Sequence, residues 1–160
     1  MSGLDNSRVL LIGGAGFIGH NLALKLRQQG REVCILDSLA VNNINMFSSS
    51  STKVANRELY LWIQNTRLQM LRDSGIELIV QDARDYHSIA GIVSSKRPQT
   101  VVHLAAVSHA NISNKDPYST FDHSLRTLEN SLDCSRELKD LKRFIYFSSS
   151  MVYGNFKADY

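Results

Sequence analysis

The sequence predicts a doubly wound α/β fold built on a parallel sheet. Three observations carry that prediction. Short apolar runs recur along the chain, each the length of one buried strand. Longer segments with helical spacing of their apolar positions lie between them. A cluster of glycines stands directly after the first run, where a strand must turn sharply into a helix. Strands that alternate with helices call for a parallel sheet covered on both faces, and right-handed crossovers wind it doubly.

Each element has its own local reason. Arg8–Ile12 (RVLLI) reads as a buried strand stopped by glycine. Phe17–Gln29 sets Ile18, Leu22 and Leu26 at helical spacing, and Gly30 ends it. Glu32–Asp37 (EVCILD) is a second buried strand. Asn42–Ala55 contains the serine run Ser48–Ser51 and reads as a mobile loop with no domain boundary. Arg57–Asp73 is a helix with Leu61, Leu68 and Leu71 available for one face, stopped by Gly75. Ile76–Val80 is strand three, Tyr86–Ser95 a short helix and Thr100–Leu104 strand four. Pro117 suits the first turn of a helix running to about Leu138, and Arg143–Ser148 is strand five. There is no internal repeat of solenoid period.

Composition narrows the function classes. With 43% hydrophobic and 21% charged residues the 160-residue chain is an ordinary globular domain. Its longest uncharged apolar runs, near Leu10–Gly19 and Val101–Ala106, fall short of the roughly 18 residues a membrane helix needs. Met1–Ser7 is too polar for a secretion signal, so no membrane partner is expected. A net charge of +3, without any long basic run, argues against nucleic acid. Cys34 and Cys134 sit in apolar segments and read as packing residues, with no metal site and no disulfide framework. A reducing compartment, the cytoplasm, fits that usage.

The chemistry concentrates in Gly13-Gly14-Ala15-Gly16-Phe17-Ile18-Gly19, between strand one and the first helix. Gly13 allows the tight turn, Gly16 lets backbone N–H groups approach a pyrophosphate, and Gly19 lets the helix pack close to the sheet. The helix N-terminus adds partial positive charge. Asp37 ends strand two, where a carboxylate accepts both ribose hydroxyls of an adenosine and repels a 2′-phosphate. The expected cofactor is therefore NAD rather than NADP.

With that motif in place, the sequence resembles the extended short-chain dehydrogenase/reductase family, and within it the NAD-dependent sugar-nucleotide epimerases and dehydratases. Four segments carry the resemblance: GGAGFIG (Gly13–Gly19), QDARD (Gln81–Asp85), HLAA (His103–Ala106) and FSSSMVYG (Phe147–Gly154). It implies a Rossmann domain over residues 1–160 that stops after strand five and lacks the C-terminal substrate domain. It implies that Phe17 and Ile18 lie along the pyrophosphate, that Asp82 accepts the adenine amino group and that Ala83 flanks the ring. Leu104, Ala105 and Ala106 would line the cofactor past strand four. Ser149 falls on the family's catalytic Ser/Thr, which hydrogen-bonds the sugar oxygen being oxidised, and Ser148 supports the nicotinamide side. His103 is read as a satisfied strand histidine and Tyr153 as structural.

The resemblance also implies the chemistry. A sugar hydroxyl is oxidised by hydride transfer to NAD, and a tyrosinate takes its proton. A lysine four residues on, on the same helical face, lowers the tyrosine pKa. In the family that pair lies further from the serine than Tyr160. Tyr153 to Lys157 repeats the spacing but begins too close to Ser149, and Gly154 and Asn155 disfavour a helix. The chain is therefore expected to be an N-terminal half, to bind NAD and to turn over negligibly alone. Its fifth strand is expected to be an apolar edge that pairs between copies.

Departures choose among the family's reactions. Dehydratases place an acid just before VYG, where this chain has Ser150 and Met151. That favours epimerisation, although HLAAVSHANIS (His103–Ser113) is closer to a dehydratase loop. The family's NxxGTxN becomes Ser124, Thr127, Leu128 and Asn130, with Ser124 still counted among the cofactor positions. The leading reading is a nucleotide-sugar epimerase acting on a UDP-sugar as a homodimer. A dehydratase or decarboxylase, or a non-catalytic NAD-binding module, are the alternatives.

Overall fold

In the computed structural model, which describes residues 7–40, 56–107 and 115–154, five parallel strands form one sheet. They are β1 (Arg8–Ile12), β2 (Glu32–Asp37), β3 (Glu77–Val80), β4 (Thr100–His103) and β5 (Arg143–Tyr146). The spatial order is β3-β2-β1-β4-β5. The connecting helices are α1 (Phe17–Gln28), α2 (Arg57–Asp73), α3 (Tyr86–Lys96), α4 (Pro117–Phe121) and α5 (Thr127–Arg136). A π-helical turn, Asp122–Arg126, joins α4 to α5, and a 3-10 turn, Ser150–Tyr153, follows β5.

The two-residue period of a strand builds the two layers. Val9 and Leu11 of β1, with Val33 and Ile35 of β2 and Val102 of β4, pack against Ala23 of α1 and Leu71 of α2. Leu10 and Ile12, with Cys34, Leu36 and Val101, face the other way onto Ile89 and Val93 of α3 and Cys134 of α5. Leu10, Leu11, Ile12 and Ile35 are wholly buried, each stabilising the fold by about 1.5–3 kcal/mol relative to exposure. Both cysteines are buried and free. No described helix is long and apolar enough to cross a membrane.

The register aligns the carboxyl ends of the strands. Ile12 lies opposite Leu36 and His103, Asp37 opposite Val80, and His103 opposite Tyr146. The polypeptide leaves the sheet at that end into every turn that carries a predicted motif.

The structure differs from the sequence reading in details with physical causes. The helix expected from Pro117 to about Leu138 is broken by the π-helical turn and ends at Arg136. There the Thr127 hydroxyl donates back to the carbonyls of His123 at 2.8 Å and Ser124 at 3.2 Å, a local competitor of the regular helix ladder. Asp116 caps the start of α4 by accepting the Ser119 N–H. Strand four ends at His103 and strand five at Tyr146, although Leu104 and Phe147 still donate to Ile12 and His103 across the sheet. Strand three starts at Glu77 rather than Ile76, while Gly30 and Gly75, at φ of 83° and 65°, stop α1 and α2 as read. The Asn42–Ala55 segment, Lys157 and the Ser108–Ser113 part of the dehydratase-like loop lie outside the described residues.

Candidate functional site

A cleft of about 640 Å³ opens at the carboxyl ends of the strands. It lies where the winding reverses, since the chain moves outward from β1 to β2 and β3 and then returns to β4 and β5. Open parallel sheets bind ligands at such switch points. Gly13, Gly16, Phe17, Ile18 and Gly19 line it from the glycine turn and α1, and Asp37 from the end of β2. Asp82 and Ala83 line it beyond β3, Leu104, Ala105 and Ala106 beyond β4, and Ser148 and Ser149 beyond β5. Ser124 is the exception among the predicted positions. Its hydroxyl accepts the Val107 N–H at 3.2 Å, so it braces the cleft wall rather than lining it.

The glycines of the turn are not equivalent. Gly13 has φ of 77°, and a Cβ there would stand 2.6 Å from the Ala105 nitrogen. A Cβ on Gly19 would overlap the Gly14 backbone. Both are demanded by the protein itself. Gly16 is different: its φ is −70°, and a Cβ would meet nothing nearer than the Gly13 oxygen at 3.9 Å. Among the described residues neither strain nor packing requires glycine there, yet the position lines the cleft. The N-terminus of α1 has no side-chain cap, which leaves its positive end to an anion.

Asp37 is anchored to this turn. One carboxylate oxygen accepts the Ala15 N–H at 2.8 Å, and the other accepts the Leu39 N–H at 2.7 Å. Each oxygen keeps a further lone pair for a ribose hydroxyl. Arg67 of α2, which sequence reasoning missed, reaches the same place: its Nη1 donates to the Ala15 carbonyl at 3.3 Å, and it lines the cleft with Asp37. Burial pushes the guanidinium pKa down and the Asp37 charge pushes it back up. Only the three-residue spacing of Gln64 and Arg67 on one helical face marked the position in sequence.

The Gln81–Asp85 turn is held from behind. Both Asp82 oxygens accept from Arg84, whose hydrogen bonds hold the Asp82 carboxyl below the usual carboxylate range. Arg84 also donates to Asp122 at 2.9 Å and lies 3.2 Å from His123 Nε2. Asn130, the asparagine retained from the family pattern, donates to the carbonyls of Ala83 at 2.9 Å and Arg84 at 3.0 Å. The π-helical turn thus brings His123 to the cleft wall, and α5 brings Thr127 there and braces Ala83 through Asn130.

At the far end Ser148 and Ser149 are exposed to the cleft. His103 does not line it. The ring is fully buried, with Nδ1 3.2 Å from the Ser131 hydroxyl and Nε2 3.5 Å from that of Thr127. Burial pushes its pKa down to about 4, which makes it a neutral strand histidine.

A profile of the NAD dependent epimerase/dehydratase family matches residues 9–159. The chain belongs to that family. Among its relatives, Protein CapI of Staphylococcus aureus is 31% identical over 147 residues, covering 92% of this chain and 39% of CapI. A UDP-glucose 4-epimerase of Neisseria meningitidis serogroup C is 25% identical, covering 92% of this chain and 38% of its own length. The crystal structure of a UDP-glucose 4-epimerase from Stenotrophomonas maltophila superposes with a TM-score of 0.72 at 26% identity, covering 96% of this chain and 40% of that one. It contains NAD and a formylated UDP-arabinopyranose. The epimerase/dehydratase sheet is therefore shared, while the chain spans about two fifths of the length of these relatives.

Proposed function

We propose that the cleft binds NAD and that the whole protein is a nucleotide-sugar epimerase. The observation that carries this reading is Gly16, a glycine that no neighbour among the described residues requires, at the wall of a cleft lined by Asp37 on one side and Ser149 on the other. β2 and β5 are three strand positions apart, about 14 Å. A dinucleotide laid across the strand ends spans that width. Asp37 would take the adenosine ribose, Asp82 and Ala83 the adenine, and the α1 N-terminus the pyrophosphate. Leu104, Ala105 and Ala106 would support the middle, and Ser148 the nicotinamide.

The bound nicotinamide would supply a hydride acceptor and donor. The chain's own contribution at that end is Ser149, whose hydroxyl orients the sugar oxygen that loses and regains its proton. The epimerases among its relatives favour a UDP-sugar as substrate. Ser150 and Met151, where dehydratases carry an acid, favour epimerisation over elimination. A homodimer is the assembly we propose for the whole protein.

The test is direct. Mass analysis of small molecules released from the purified protein, with calorimetric titration of NAD, is expected to find NAD bound with one site per chain. NADP binding as tight as NAD would overturn the role given to Asp37. Absence of both dinucleotides would overturn the cofactor reading. Interconversion of UDP-sugar epimers by the whole protein, lost on Ser149→Ala, distinguishes an epimerase from a non-catalytic NAD-binding module.

A further inference from the structure

The cleft holds one cation that the glycine motif, the Asp37 rule and the family resemblance do not account for. Arg67 comes from α2, an element separate from the strands that carry the motifs, and lines the same cleft as Asp37. The two side chains hold the two successive peptide units that flank Ala15. The carboxylate of Asp37 accepts the Ala15 N–H, and the guanidinium of Arg67 donates to the Ala15 carbonyl. They are also coupled electrostatically, since the Asp37 charge stabilises the charged guanidinium. Arg67 thus adds a positive charge to the cleft that Asp37 lines.

We infer that Arg67 is a second determinant of cofactor choice, placed to offset the repulsion of Asp37 toward an anionic group on the adenosine ribose. The inference rests on the NAD reading above. A carboxylate alone discriminates against a 2′-phosphate by charge and by competing for the 2′-hydroxyl. A guanidinium in the same cleft recovers part of the first term, because its positive charge attracts the phosphate. The pair thus sets a preference for NAD that is smaller than Asp37 would impose alone. If Asp37 loses its charge, Arg67 becomes the anchor for the 2′-phosphate.

The experiment measures Kd for NAD and NADP by calorimetry at fixed ionic strength. The proteins are the 160-residue chain, Arg67→Met, Arg67→Lys, Asp37→Asn and the double variant Asp37→Asn/Arg67→Met. Arg67→Met is expected to weaken NADP about tenfold more than NAD, the loss of one charge-assisted contact. Asp37→Asn is expected to strengthen NADP by a similar factor, and the double variant to lose that gain. Arg67→Lys, which keeps the charge, is expected to stay within a few-fold of the parent ratio. An unchanged NADP-to-NAD ratio in Arg67→Met overturns the inference. So do equal shifts in Arg67→Met and Arg67→Lys, because the arginine would then only brace Ala15. If Asp37→Asn fails to fold, the two Arg67 variants still decide. Binding of neither dinucleotide by the parent chain removes the cofactor reading itself, and this inference with it. Tight NAD binding with an unmoved ratio removes only the inference.

Discussion

The Asp37 carboxylate accepts the Ala15 N–H at 2.8 Å, tying the end of β2 to the turn that follows β1. The residue proposed to hold a ribose thus also shapes the glycine turn. Its second oxygen holds the Leu39 N–H at 2.7 Å, where the backbone takes a left-handed φ of 58°. Asp37→Ala removes both acceptors. The expected cost is about 1–3 kcal/mol of stability, read by urea unfolding without ligand. NAD affinity is expected to fall at least tenfold in the same variant, read by calorimetry.

Gly16 and Gly19 separate a ligand's requirement from the protein's. Gly16→Ala places its Cβ 3.9 Å from the nearest neighbour among the described residues, the Gly13 oxygen, at an ordinary φ. Its unfolding free energy is expected to stay within about 1 kcal/mol of the parent, while NAD binding is lost. Gly19→Ala drives its Cβ into the Gly14 backbone. Such overpacking costs about 1–3 kcal/mol or more, so this variant is expected to lose stability with or without NAD. Paired denaturation and titration of the two variants checks both halves. Equal destabilisation by the two would remove the argument that Gly16 answers to a ligand.

The five strands of the sheet were legible because each is a short apolar run bounded by its own stop, such as Ile12 before Gly13 and Val80 before Gln81. That the glycine turn, Asp37 and the serines after β5 would meet in one cleft was legible because each stands directly after its own strand in sequence. Arg67 was not, because its partner Ala15 lies 52 residues away and nothing near it in the chain announces the contact. The π-helical turn was hidden for a related reason. Helical periodicity across Pro117–Leu138 says nothing of a Thr127 hydroxyl that folds back onto His123 and Ser124. Ser124, counted as a cofactor position by analogy, braces Val107 because a serine at that place finds the nearest backbone N–H.

Asn130 shows how the distant helix supports the adenine end. It is buried, and its amide donates to two carbonyls of the Ala83–Arg84 turn. Asn130→Ala leaves both carbonyls without that donor. The expected loss is about 1–3 kcal/mol, accompanied by weaker NAD binding through a loosened Ala83. Asn130→Asp exchanges the donor for an acceptor against the same two oxygens, and is expected to be worse than alanine. Urea unfolding of the two variants ranks them.

His103 ties stability to pH. Its pKa in the folded chain is about 4 because burial penalises the charged ring, against about 6.5 in an unfolded chain. Between those values the unfolded state binds a proton that the folded state refuses, so stability falls as pH falls. The contribution is complete above about pH 6.5 and is lost progressively down to about pH 4, for a total of the order of 3 kcal/mol. Unfolding free energies at pH 7.5, 6 and 5 are expected to decline accordingly. Replacement of His103 by Gln, which cannot titrate, is expected to flatten that part of the profile. An unchanged slope in this variant would assign the pH dependence to the carboxylates instead.

β5 lies at the edge of the sheet, and Ile145 on it is 41% exposed. An apolar strand with unpaired backbone groups is a template for another copy. The 160-residue chain is therefore expected to self-associate with rising concentration, read by light scattering behind a sizing column. Ile145→Lys puts a charge on that edge without touching the cleft, whose lining residues do not include it. Association is expected to fall while NAD binding persists. A parent chain that stays monomeric across the concentration range would show that the edge is protected, and a lysine variant that associates as before would move the contact to another face.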